Sequence, residues 1–147
     1  MGLMKRPLRL LMAAACVLAA ASACTTEDPT ANTSIPLVPT PPTVDTLAGT
    51  LTVGGKDIKV FSVVLSNGGL DITLTALSQP VVIILGAGTW DGTSCTLGSN
   101  ATRNTGAGSS PQLSFSGVPA GNYCTEVIDP GSITAPGATY TINVAHY

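Results

Sequence analysis

Residues 117–127, GVPAGNYCTEV, join a proline–glycine turn to an alternating strand. Proline presets φ at about −65° and glycine accepts positive φ, so the chain can reverse direction in VPAG with little strain. We expect the strand to start at Asn122. Successive side chains of a strand point to opposite faces, so Tyr123, Thr125 and Val127 share one face, and we expect that face to pack in the core.

The chain from residue 47 onward carries the pattern of an all-β domain. Apolar and polar residues alternate, for example in 70–75, and no segment has apolar residues at helical spacing. Asparagine and glycine in 53–56 and 66–69 supply the positive φ that hairpin turns need. We therefore predict a single β-sandwich domain, 47–147, with about eight strands. The predicted strands are 47–53, 58–66, 70–77, 81–86, 93–97, 112–116, 122–128 and 138–145.

Residues 1–23 have the pattern of a bacterial export signal. Basic residues precede an apolar run at 10–21 that is short for a membrane span, and small residues lead to Cys24. This end resembles the lipobox of bacterial lipoproteins, which implies that signal peptidase II cuts before Cys24 and that its sulfur carries a lipid. Ala21 stands where the lipobox prefers leucine. Ala21 with Ala23 equally suits the ordinary signal peptidase, which would leave Cys24 free and the protein secreted.

The mature chain is predicted to begin with a linker and to be acidic. Residues 24–46 start at the candidate lipidation site and are rich in threonine and proline, so we expect a disordered, extended segment. Once the signal is removed, the Lys and Arg residues that remain are Lys56, Lys59 and Arg103, against eight acidic residues. A chain without a basic patch is not expected to bind nucleic acid.

Cys95 and Cys124 are predicted to form a disulfide. Cys16 lies in the signal and Cys24 is the candidate for lipidation, so these two remain in a chain exported to an oxidising compartment. A bridge that closes a loop of about 30 residues would stabilise the domain by roughly 3 to 4 kcal/mol. The alternative is two free thiols.

Four groups of residues give the domain a resemblance to a known family. They are 49–51 (GTL), 60–65 with 68–70 (VFSVVL with GGL), 119–123 (PAGNY) and 140–144 (YTINV). Over nearly all of 47–147 the chain resembles the bacterial pre-peptidase C-terminal domain. The resemblance implies a non-catalytic β-sandwich of jelly-roll type that accompanies exported proteins. Calcium-binding members carry aspartates before the strand found here at 81–85, where this chain has Ser78, Gln79 and Pro80, so we expect no metal and no cofactor.

The residues that could catalyse a reaction are few. His146 is the one histidine of the chain, and we interpret it as an exposed residue near the C-terminus rather than a catalytic base. Glu126, the one glutamate of the predicted domain, is expected on a solvated strand surface. Cys95 and Cys124 lack the further ligands of a zinc site. We predict no catalytic residues and no enzyme activity, and a small secreted hydrolase is the least supported alternative.

Trp90 is the only tryptophan and lies in the glycine-rich stretch 86–93, which we interpret as a flexible polar loop. Loops often carry recognition, and indole rings stack on sugars or peptide groups, so Trp90 and Asp91 are candidate ligand-binding residues. The alternative is that Trp90 closes one end of the core.

Residues 81–85, VVIIL, are apolar at every position. Val82 and Ile84 must therefore point away from the core face of their strand, where another part of the chain covers them or they form a partner surface. We expect cover from the linker or from 98–110, a polar, glycine-rich stretch that is predicted to be a mobile loop.

These patterns together predict a non-catalytic binding or structural module of the cell envelope. The expected partners are the membrane, through a lipid on Cys24, and an envelope protein, a peptide or a glycan at the periplasmic or cell-surface face. The alternative function is that of a carbohydrate-binding module that uses Trp90.

Overall fold

The computed structural model describes residues 40–147. The predicted signal, Cys24 and most of the predicted linker lie outside these residues. Within 40–147 the chain forms eight β-strands and no helix, so the all-β prediction is confirmed, and no helix there is long and apolar enough to cross a membrane. The strands are β1 (Thr43–Leu51), β2 (Lys56–Val63), β3 (Gly68–Leu77), β4 (Ile83–Trp90), β5 (Cys95–Thr105), β6 (Leu113–Val118), β7 (Gly121–Ile128) and β8 (Ala138–His146).

The strands form two antiparallel sheets that pack against each other. The first sheet has the order β1-β8-β3-β6 and the second the order β2-β7-β4-β5. This is the strand order of an eight-stranded jelly roll, in which two Greek keys fold over one core. The predicted β-sandwich is therefore confirmed, with the jelly-roll topology that the family resemblance implies.

The core lies between the sheets and is built from alternate residues of the inner strands. Leu74 and Ile142 are paired neighbours in the first sheet, Leu85 and Val127 are paired neighbours in the second, and all four are fully buried. Because side chains alternate between faces, each strand contributes every second residue to this layer. Tyr123 packs against the same core, so the predicted inward face of β7 is confirmed.

The turn that precedes β7 forms where it was predicted, between Val118 and Gly121. The residue with positive φ is Gly117, at 66°, inside β6 rather than in the turn. The strand that contains Gly117, β6, pairs irregularly with β3. Gly68 lies opposite Val118 whereas Leu70 lies opposite Phe115, so β6 has one residue more than β3 between these two pairs. A left-handed glycine is the usual way to accommodate such a bulge.

Three segments that were predicted to be linker or loop belong partly to β-strands. Backbone pairing extends into them although their side chains do not alternate between apolar and polar. The β1 strand begins at Thr43, inside the predicted linker, since it pairs with β8 from that residue onward. The predicted loop 86–93 belongs to β4 as far as Trp90, which is paired on β5 with Cys95. The predicted mobile loop 98–110 belongs to β5 as far as Thr105.

The sandwich has two ends that differ in what they carry. The end at which β1 begins, called the proximal end here, also holds the connections 64–67, 91–94 and 119–120, because Val63 lies opposite Gly121 in the second sheet. The distal end holds the connections 52–55, 78–82, 106–112 and 129–137.

Candidate binding cleft and its surroundings

A disulfide joins Cys95 to Cys124, as predicted, and draws the start of β5 across the sheet. The two Cα atoms are 5.8 Å apart. In the second sheet β4 lies between β5 and β7, and strands separated by one neighbour are ordinarily about 9 to 10 Å apart. Residues 95–97 must therefore leave the plane of the sheet and cross the outer face of β4. We call them the crossing segment.

Two glycines of β4 make room for the crossing segment. A Cβ atom on Gly88 would overlap the backbone of Thr96, and a Cβ atom on Gly86 would lie 3.0 Å from the side chain of Leu97. Thr96 and Leu97 thus lie directly above these glycines. Any larger residue at Gly88 would push the crossing segment away from the sheet.

The rest of β5 returns to regular pairing through a wide bulge. Gly88 lies opposite Leu97 and Gly86 opposite Thr102, so the residues 98–101 face Ala87 alone on the partner strand. Ala101 points into the core and is buried. At this corner of the sandwich there is an opening between the two sheets.

An apolar cleft of about 500 Å³ occupies this corner, between β4 and the crossing segment on one side and β6 on the other. Thr89, Thr96 and Ser116 are the hydroxyl-bearing Thr and Ser residues that line it. We call it the Tyr123 cleft. Its larger apolar lining residues are Leu70, Leu97, Phe115, Val118 and Tyr123.

Tyr123 is held in position from two sides. Its hydroxyl donates a hydrogen bond to the carbonyl oxygen of Pro119 at 2.8 Å, and its ring stacks with that of Phe61 at 6.0 Å between centroids. The stretch 117–127 therefore supplies the aromatic wall of the cleft and, through Cys124, the disulfide that holds the crossing segment.

A second hollow, of about 700 Å³, lies at the distal end and has a different character. It is lined by Arg103, by Ser114 and by the β5–β6 connection, which is mostly glycine and serine. Sites that bind organic ligands are predominantly apolar with a few polar groups. The Tyr123 cleft fits that description better than this hollow does.

Trp90 and Asp91, the predicted ligand-binding residues, lie at the proximal end but do not line the Tyr123 cleft. Trp90 is half-buried as the last residue of β4 and is not among the residues that pack against the core. The carboxylate of Asp91 accepts hydrogen bonds from the backbone N–H and the hydroxyl group of both Thr93 and Ser94. These bonds, the Ser94 hydroxyl first, hold the pKa of Asp91 well below its usual range. Asp91 thus shapes the β4–β5 turn.

Val82 and Ile84, the predicted partner surface, lie at the distal end of β4. Val82 is 49% exposed and precedes the strand, whereas Ile84 is half-buried opposite Ile128 of β7. The expected cover from 98–110 does not form as predicted, because 98–105 belongs to the strand beside β4. The outer face of β4 is covered by the crossing segment at Gly86 and Gly88 instead.

Glu126 and His146 are both buried, and the predictions of exposed positions were wrong. Glu126 is 5% exposed and pairs with Lys56 at 2.8 Å, because it lies on an inner strand opposite Gly86, which the side chain of Leu97 covers. His146 is 4% exposed because β8 runs between β1 and β3. Its Nε2 atom lies 3.1 Å from the carboxylate of Asp45.

Asp129 is a buried carboxylate that the sequence reading missed. Its oxygens accept hydrogen bonds from the backbone N–H groups of Gly54, Gly131, Ser132 and Ile133, at 2.7 to 3.1 Å. Burial by itself raises the pKa of Asp129, but the four donors outweigh burial and leave the pKa below its usual range. The signal in the sequence was Asp-Pro-Gly-Ser, a pattern typical of an Asx turn.

We expect Asp129→Asn to lower the thermal midpoint at pH 7 by several degrees, because an amide replaces one acceptor oxygen with a donor. A carboxylate with a depressed folded pKa stabilises the fold above its unfolded pKa of about 3.9, and this contribution is lost as the pH falls through the folded pKa. The difference in midpoint between wild type and Asp129→Asn should therefore shrink below about pH 4. Thermal melts from pH 7 to pH 2 check this, with Asp71→Asn as control. A difference that is independent of pH would contradict it.

In comparisons with known proteins, neither a family model nor a curated protein matches the chain. Among residues 40–147, no group of three or more His, Cys, Asp or Glu side chains is placed to hold a metal ion. Function is therefore inferred from the Tyr123 cleft and from the sequence that precedes the domain.

Proposed function

We propose that this protein is a non-catalytic binding module of the bacterial cell envelope, anchored by a lipid on Cys24. Its domain receives an apolar side chain of a protein or peptide partner in the Tyr123 cleft. The observation that carries the proposal is the cleft itself, with its apolar walls and its volume of about 500 Å³. Clefts of this size and lining are the usual places for ligand recognition.

The lining of the cleft favours a hydrophobic group attached to a polar backbone. The rings of Phe115 and Tyr123 offer flat apolar surface, which contributes strongly at binding sites. Thr89, Thr96 and Ser116 also line the cleft, and a hydroxyl group of this kind can donate to or accept from a peptide group. This combination suits a peptide segment better than a free hydrocarbon.

The lining also favours binding over catalysis. Among the described residues that line the cleft there is no His, Asp, Glu, Lys or Cys. A Thr or Ser hydroxyl is a weak nucleophile unless a neighbouring base activates it. A hydrolase would need such a base beside Thr89, Thr96 or Ser116.

The walls of the cleft are fixed before any ligand binds. The disulfide holds the crossing segment, and the hydrogen bond to Pro119 holds the ring of Tyr123. A rigid site loses less conformational entropy when it binds, so a given contact area yields a higher affinity. Such a site is what a dedicated binding module needs.

The envelope location is supported by the sequence. Small residues lead to Cys24 in the manner of a lipobox, and the proline-rich residues that follow suit a spacer between membrane and domain. The resemblance to the pre-peptidase C-terminal domain likewise favours an accessory, non-catalytic role.

Carbohydrate binding through Trp90 is the second candidate, favoured by the partial exposure of this ring on the outer side of β4. The neighbouring Asp91 uses its carboxylate within the turn. Trp90 would therefore act without the polar partner that the sequence suggested.

We expect Thr89→Phe to weaken binding of the apolar probe 8-anilinonaphthalene-1-sulfonate by about tenfold or more, an effect of 1.4 kcal/mol or above. Thr89 lies opposite Tyr123 and lines the cleft, so a phenyl ring there occupies part of the ligand space. A titration followed by the methyl chemical shifts of Ala87 and Ala101 measures affinity and location together.

Two further variants give this experiment its controls. Thr50→Phe places the same ring on an exposed strand position of β1 and should leave probe binding unchanged. Trp90→Ala should also leave it unchanged. Equal affinity of Thr89→Phe and wild type would contradict the cleft as the site, and a loss confined to Trp90→Ala would favour the carbohydrate-binding alternative.

A further inference from the structure

The proximal end of the sandwich exposes large apolar side chains. Val64 and Leu65, in the β2–β3 connection, are 77% and 54% exposed, and Tyr147 is 43% exposed. Tyr147 lies beside the same connection, because its ring is 3.5 Å from the place of a Cβ atom on Gly69. These three side chains therefore belong to one region of the surface.

The β6–β7 connection extends this region with Pro119 and Ala120, which are both exposed. The backbone N–H of Ala120 donates a hydrogen bond to the hydroxyl of Ser66 at 3.2 Å, so the two connections are fixed side by side. We call Val64, Leu65, Pro119, Ala120 and Tyr147 the proximal patch.

The connections that carry the proximal patch contain no charged side chain. Residues 64–69 and 117–121 consist of apolar residues, glycine, serine and asparagine. Asp91 lies at the same end, but its carboxylate is engaged within its own turn. Apolar side chains that protrude from connections without charged residues are typical of contact with the interfacial region of a lipid bilayer, where aromatic and aliphatic side chains are buried among headgroups.

The path of the chain favours a bilayer over another protein as the occupant. The β1 strand begins at Thr43, opposite His146 and next to Tyr147, so the residues that lead back to Cys24 leave the domain beside the patch. An anchor at Cys24 therefore attaches at the end that carries the exposed apolar side chains. Attachment keeps a weak surface contact at high effective concentration.

We infer that the proximal patch rests on the bilayer that holds the anchor, with Val64 and Leu65 inserted among the headgroups. This inference rests on the proposed lipid anchor and adds an orientation to it. The domain stands with its proximal end against the membrane, and the Tyr123 cleft, which shares Pro119 with the patch, opens close to the lipid surface.

The test uses the full-length mature protein, as a bacterial host that processes lipoproteins makes it, in phosphatidylcholine vesicles that contain a dansyl-headgroup lipid. Trp90 is the only tryptophan of the chain and lies at the proximal end, so energy transfer from Trp90 to dansyl reports how near that end is to the bilayer. We expect Val64→Asp with Leu65→Asp to lower the transfer by roughly half or more, because the domain is then no longer held at the surface and a proline-rich segment of the predicted linker's length can span tens of ångströms.

The matched control carries Val53→Asp with Val82→Asp, two distal valines that are 55% and 49% exposed. It should transfer energy as the wild type does, and thermal melts should show both variants folded. Vesicle flotation tests the lipid anchor separately from the contact between the proximal patch and the bilayer. If the wild type floats but all three proteins transfer energy equally, the membrane contact is overturned and the anchor stands. If the wild type does not float, as Cys24→Ser should not, the anchor and the contact that rests on it are both overturned.

Discussion

Replacing both Cys95 and Cys124 with alanine should lower the free energy of unfolding by about 3 kcal/mol. The disulfide spans a sequence separation of 29 residues, and its loss frees the corresponding loop in the unfolded chain. It also removes the bond that holds the crossing segment over β4. We therefore expect a second effect in the folded state, which is that Thr96 and Leu97 lose their fixed position and the Tyr123 cleft loses one wall.

Chemical denaturation measures the first effect, and amide hydrogen exchange at Thr96 and Leu97 measures the second. Reduction of the wild-type protein serves as a control, because it should reproduce both effects without a substitution. A double variant that is as stable as the wild type, with Thr96 still protected, would show that packing alone holds the crossing segment.

Gly88→Ala should destabilise the domain by about 2 to 3 kcal/mol, as overpacking of a tight site does. The new Cβ atom would lie 2.6 Å from the carbonyl carbon of Thr96, and a backbone atom cannot rotate aside as a side chain can. The matched control is Gly86→Ala, on the same face of β4. Its nearest neighbour is the flexible end of the Leu97 side chain, so its cost should stay below about 1 kcal/mol.

A double-mutant cycle links the two predictions. Without the disulfide the crossing segment can lift off β4, so Gly88→Ala should cost much less in the Cys95→Ala and Cys124→Ala background. Urea unfolding of the four proteins measures this coupling. Additive costs would mean that the crossing segment keeps its place over Gly88 by contacts other than the disulfide.

The strands were predictable because their signal is local. Alternation in β3, β7 and β8 indicated which residues enter the core, and the exclusion of Cys16 and Cys24 left one pair of cysteines for the disulfide. The same alternation, followed two residues beyond Val144, would have placed His146 inside as well. A position next to the C-terminus predicts exposure, and this prediction was wrong because β8 continues as far as His146.

The Tyr123 cleft was not predictable, because it depends on contacts between distant segments. In the sequence, Gly86 and Gly88 are typical of a loop. In the fold they belong to β4 and lie directly beneath the crossing segment. The exposed position predicted for Glu126 was wrong for the same reason, because the side chain of Leu97 lies over its neighbour Gly86. Alternation indicates the face on which a side chain lies, but it does not indicate what another segment places above that face.

The first strand also determines how the domain bears mechanical load. All nine residues of β1 pair with β8, from Thr43 opposite His146 to Leu51 opposite Ala138. The hydrogen bonds of an antiparallel pair run across the strands, so a pull along β1 from its N-terminal end loads all of them at once instead of breaking them one by one. If a bound partner were pulled away from the anchored domain, the β1–β8 pair would therefore be loaded in shear. This is the geometry in which a β-structure resists force best.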